Sequence, residues 1–173
     1  MEQRTLRLLL LKNILYTFLL LVCYIAQETP DLLTLWGICP LPVIGVITAI
    51  AMVEGEFSGG LFGLLGGILC DTAAFHIFGV ASIFFLVLGT GIGLLIICLV
   101  QPNIKSSFLL TGVFAFIYGL ACHYLLYGLW GYEGSAILLL RQTLPSALLT
   151  ALWGVALFWM VRAIRRSFSR WQE

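Results

Sequence analysis

Charge is scarce in this chain. Only 10% of its 173 residues are Asp, Glu, Lys or Arg, against about 25% in an ordinary soluble domain. With 61% of the residues hydrophobic, polar side chains cannot cover a globule of this size. That excludes a soluble enzyme, a nucleic-acid binder, a coiled coil and a disordered chain. Histidine is scarcer still. His76 and His123 stand alone, outside any HxxxH or HExxH spacing, whereas a zinc site needs three or four ligands at workable spacing. Cys23, Cys39, Cys70, Cys98 and Cys122 also fall singly, with no CxxC among them. Neither a redox pair nor a metal cluster is suggested, and the thiols read as small apolar packing residues. No Ser–His–Asp or Cys–His arrangement is evident from spacing. Intramembrane aspartyl chemistry needs two aspartates, and Asp31, the only companion of Asp71, lies in a loop. Gly89-Thr90-Gly91-Ile92-Gly93 is flanked by apolar helix rather than by a strand and a basic residue, so it is not a phosphate-binding loop. No catalytic residue, metal or cofactor is expected.

Long apolar runs are what the chain has instead. About 20 uncharged residues suffice to cross the hydrocarbon core as a helix. Six segments read as spans, at residues 8–26, 32–53, 57–73, 80–100, 106–130 and 143–161, the first broken by Lys12 and the third short and holding Asp71. They are apolar on every face, unlike the alternating strands of a membrane barrel. The fold class expected is all-α, a polytopic bundle of six transmembrane helices forming one domain over residues 1–173. Lys12 is expected to snorkel from the start of the first run. Pro40 and Pro42 are expected to kink the second, and Pro145 to sit in the first turn of the last. The basic start resembles a signal peptide, but no small-x-small cleavage site follows it, so the first run reads as an uncleaved span.

Two features stand out from this background. Gly59, Gly60, Gly63, Gly66 and Gly67 fall within an arc of about 120° when placed on a helix at roughly 100° per residue. Such a stripped face admits another backbone at close range. It suits packing within the chain, docking of a separate membrane partner, or approach to a small ligand. Asp71 lies at the edge of that arc and is the only acidic residue within an apolar run. A charge at the bilayer centre costs about 2.5–3.5 kcal/mol on insertion scales. Asp71 therefore caps the turn into the fourth span, contacts a partner or ligand, or carries a proton. The second feature is the tail. Arg162, Arg165, Arg166 and Arg170 share one side of a continuing helix, where they can anchor the cytoplasmic end or meet a cytosolic protein.

The pair Glu54-Gly55, the glycine run from Gly59 to Gly67, Asp71, Phe78-Gly79 and the ending through Arg162, Arg165, Arg166 and Phe168 resemble the signature of the MreD family of rod shape-determining membrane proteins. That resemblance implies a non-enzymatic subunit of the bacterial cell-elongation machinery in the inner membrane, with an MreC-like membrane protein as partner. It extends the partners to the MreB filament and to RodA with its transpeptidase, and leaves nucleic acid out. It also implies a fold like the six-helix substrate-capture components of energy-coupling-factor transporters. A small-molecule, vitamin-like binding component is thus the alternative, with an exterior pocket drawn from Trp36, His76, Tyr127, Trp130 or Tyr132.

Orientation follows from the basic residues near span ends. With six spans and both termini inside, eight of the nine Lys and Arg residues face the cytoplasm and only Arg141 does not. Reporter fusions after Glu173 and near Glu133 test this. A cytoplasmic signal from the first and an exported signal from the second are expected; an exported C-terminal reporter would sink the six-span reading.

Overall fold

Pro42 starts a helix rather than bending one. In the computed structural model, which describes residues 2–29, 33, 38–73, 79–98, 101–124 and 135–169, six helices follow in order. They are α1 (Glu2–Glu28), α2 (Pro42–Glu54), α3 (Glu56–Ala73), α4 (Val80–Cys98), α5 (Ile104–His123) and α6 (Ser135–Ser169). The expected second span is thus shortened from its N-terminal side, and the expected kink is replaced by a helix start. Proline's missing N–H costs nothing at the first helical position, and its fixed φ favours the helix there. The opposite correction applies to Pro145, which lies inside α6 and not in its first turn. The ends of α3 and α4 fall within two residues of the expected spans, because Gly55 and Gly79 punctuate the chain there. Both adopt positive φ, 95° and 100°, a backbone conformation that a side chain would strain.

α2 is the axis of the bundle. All of its residues from Pro42 to Val53 are buried, and it packs against each of the other five helices. A helix apolar all round belongs in such a place. Only 13 residues long, or about 20 Å, it falls short of a hydrocarbon core of about 30 Å. Among the described residues, four other helical segments are long and apolar enough to cross a membrane: Leu9–Glu28, Val80–Cys98, Ile104–His123 and Thr143–Phe168. The molecule is accordingly an α-helical membrane bundle.

Side-chain contacts fix the direction of each helix. Lys12 of α1 and Arg165 of α6 both reach the C-terminal end of α2, through Glu54 and the Val53 carbonyl. At the opposite end Thr150 of α6 accepts from the Leu41 N–H at 2.9 Å, and Ser146 donates to the Cys39 carbonyl at 2.8 Å. The helices therefore alternate in direction, with the start of α1 and the end of α6 at one, basic, end.

Lipid already solvates apolar side chains, so burial alone gives helices little reason to associate in a membrane. Close packing and polar pairs take that role. Gly45 of α2 faces Gly154 of α6, and a Cβ at Gly45 would come within 3.1 Å of the Gly154 Cα. Beside that contact the hydroxyls of Thr48 and Thr111 pair at 2.9 Å, joining α2 to α5. α1 turns the fully buried Tyr16 inward and leaves Phe18 65% exposed toward lipid.

Candidate functional site

Gly59, Gly63 and Gly67 recur every fourth residue and so share one side of α3. α4 fills that side. A Cβ at Gly59 would lie 2.6 Å from the Gly89 carbonyl oxygen and 2.6 Å from Ala51 Cβ. A Cβ at Gly63 would overlap the Phe85 carbonyl, and one at Gly67 the backbone of Ser82. The relation is reciprocal, since Gly89 meets the Gly59 carbonyl and Gly93 meets the backbone of Glu56. Two antiparallel backbones thus touch over most of their lengths with almost no side chain between them. Gly60 faces the Thr90 methyl, while Gly66 turns away toward Ile47 and Val43 of α2 and Leu20 of α1. The five glycines serve two interfaces, both inside the chain, and the neighbouring helices take up the space that a partner helix or ligand would need.

Asp71 closes this contact at its far end, one turn beyond Gly67. α4 begins at Val80, and the first N–H groups of a helix have no partner within it. The Asp71 carboxylate supplies one. Its Oδ1 accepts from the Ala81 N–H at 3.0 Å; its Oδ2 accepts from the N–H groups of Gly79 at 3.1 Å and Ser82 at 3.0 Å, and from the Ser82 hydroxyl at 2.5 Å. The charge also faces the positive end of the α4 dipole. Here the cap comes from the preceding helix rather than from the residue beside Val80, so a single carboxylate binds α3 to α4 and stabilises itself in an apolar place. Three of the four donors converge on Oδ2 and one reaches Oδ1, so the carboxylate is held as a structural anion at the start of α4.

The remaining candidates lie at the basic end. Glu54 accepts from Lys12 at 2.5 Å through Oε2 and from the Tyr16 hydroxyl at 2.9 Å through Oε1. Lys12 is part-buried there in an ion pair. Gly55 ends α2 and donates its N–H to the Ala51 carbonyl at 3.1 Å. Arg165 donates to the Val53 carbonyl, and the Arg162 guanidinium stands 5.9 Å from the Phe158 ring centroid. Arg166 is exposed on the same helix. Arg170, Phe78, and the aromatic and histidine residues considered for an exterior pocket lie outside the described residues.

Sequence reasoning missed the receiving side of the glycine contact. Gly89 and Gly93 form the same GxxxG spacing on α4 that singled out α3, and that was the available signal. The Tyr16–Glu54 pair joins residues 38 positions apart and left no local trace. Comparison with protein-family models, curated proteins and solved structures gives no match to this chain.

One substitution should act with opposite signs at two glycines. A methyl at Gly91 of α4 would meet nothing within 4 Å, so Gly91→Ala should raise helix stability by up to about 1 kcal/mol. Gly63→Ala drives a methyl into the Phe85 carbonyl and should cost about 1–3 kcal/mol. Asp71→Asn loses the charge and an acceptor and should cost about 1–3 kcal/mol. Thermal unfolding in one detergent ranks the three; a Gly63→Ala protein as stable as Gly91→Ala would refute the α3–α4 contact.

Proposed function

We propose that the chain is a non-enzymatic, MreD-type subunit of the bacterial cell-elongation machinery. It crosses the inner membrane six times with both termini cytoplasmic, and its short α2 is sheathed by the other helices. In this reading it holds an MreC-like membrane protein, and with it the MreB filament and RodA with its transpeptidase. Its fold is then akin to the substrate-capture components of energy-coupling-factor transporters.

The observation that carries the reading is the internal commitment of Asp71, Glu54 and Thr48. Asp71 is engaged by α4, Glu54 by Lys12 and Tyr16, and Thr48 by Thr111 and the Gly45 carbonyl. Groups committed in this way stabilise a rigid body that partners can dock on. They do not offer donors and acceptors to a substrate. Because α4 covers the glycine face, partners meet the outer surface of the bundle.

A vitamin-binding component is the competing reading. Ligand pockets run to about 300–1,000 Å3 and carry a few convergent polar groups. The cleft between α2, α4 and α5, lined by residues including Ile47, Phe85, Ile92 and Phe114, has a volume of about 10 Å3, room for about one water molecule. Its one hydroxyl, Thr48, is already paired. Among the described residues, this cleft favours the scaffold over the binder.

Co-purification from membranes with an MreC-like protein tests the proposal. Retention of the partner by the wild type is expected, with loss in Gly63→Leu because the bundle surface deforms, and no tight binding of vitamins to the isolated chain. Failure to retain any elongation partner, or nanomolar vitamin binding, would overturn it.

A further inference from the structure

Two arginines at the basic end are held by groups that carry no charge. Arg165 donates to the carbonyl of Val53, and Arg162 lies over the ring of Phe158. A carbonyl and a ring face orient a guanidinium without cancelling its charge. Glu54, the carboxylate at this junction, is engaged by Lys12 and Tyr16. Arg162 and Arg165 are thus positioned and exposed, and among the described residues neither forms an ion pair. Three residues apart on α6, they are neighbours on the helix surface. Toward the membrane from Arg162, along one side of the same helix, Trp159 (58%) and Leu152 (60%) are exposed. A cationic band therefore adjoins exposed apolar surface, as the phosphate of a phospholipid adjoins its acyl chains.

We infer that Arg162 and Arg165 form a binding site for the phosphodiester of an anionic phospholipid, whose chains run along the Trp159 and Leu152 surface. A guanidinium presents paired N–H donors that match two phosphate oxygens, which an ammonium cannot do. Each arginine is already oriented by Val53 or Phe158, so little side-chain freedom is lost on binding. The exposed tryptophan and leucine select a lipid over free phosphate, because inorganic phosphate gains nothing from them. The inference is independent of the cell-elongation reading and holds for any function of the bundle.

The test uses the full chain in nanodiscs of phosphatidylcholine, with and without phosphatidylglycerol. Unfolding temperature and the lipids retained on native mass spectrometry are the readouts. Phosphatidylglycerol should raise the unfolding temperature and be retained selectively. Arg162→Gln should weaken that retention about fivefold, as expected for loss of one cation at an anionic surface. Arg162→Lys, which keeps the charge but not the fork, should fall between. Equal retention by wild type and Arg162→Gln, or no preference for phosphatidylglycerol over phosphatidylcholine, would overturn the site. Equal stabilisation by inorganic phosphate in phosphatidylcholine discs would assign it to free anions and overturn the lipid. An inverted C-terminal reporter in Arg162→Gln would mark the arginine as a topology signal only, which also overturns it.

Discussion

The backbone contact between α3 and α4 is the constraint on which the rest of the bundle rests. Two helices that touch main chain to main chain have no side chains to adjust, so their relative position is set by the glycines alone. Gly59, Gly63 and Gly67 meet Gly89, the Phe85 carbonyl and Ser82 in fixed order, and the register this imposes brings Asp71 level with the open N–H groups of α4. The carboxylate cap follows from the glycine contact, and a shift of one turn between the helices would leave both the anion and the helix start unpaired. Dispersion between close surfaces is the main attraction open to apolar helices in lipid. Removing side chains from both faces is how this chain brings those surfaces near.

The two ends of the bundle treat charge differently. At the far end one carboxylate is enclosed and matched entirely by backbone and serine donors. At the basic end Lys12, Tyr16 and Glu54 tie α1 to α2, and Arg165 ties α6 to the same helix terminus. Cations at a helix C-terminus are favoured by its dipole, so the end of α2 collects the start of α1 and the end of α6. Both ties are side-chain contacts that a small rotation can lengthen, unlike the main-chain contact of α3 with α4.

What was legible in the sequence was local. Glycines that stop helices, such as Gly55 and Gly79, and glycines that recur on one face, such as Gly59, Gly63 and Gly67, mark themselves by spacing. Asp71 announced itself by being charged in an apolar run, and capping was among the roles its neighbourhood allowed. What was not legible was which surfaces meet. An unbroken apolar run does not say where its helix begins, so the start of α2 at Pro42 was hidden. Lys12 reads as an interfacial anchor until Glu54, 42 residues away, is known to lie beside it. The glycine face looks open to partners in the sequence, because nothing local says that the GxxxG spacing of Gly89 and Gly93 is laid against it.

The complete enclosure of α2 bears on how such a chain drifts over evolutionary time. A residue facing lipid is tested for solubility in hydrocarbon, and Leu, Ile, Val and Phe pass that test alike. A residue on α2 is tested for volume by neighbours on every side, so exchanges that lipid would ignore are rejected there. One apolar composition thus contains two clocks, fast on the outward surfaces of α1 and α5 and slow along residues 42–53 and the glycine contact. Kinship between chains of this kind is written in where the small residues fall, far more than in which large apolar residue stands between them.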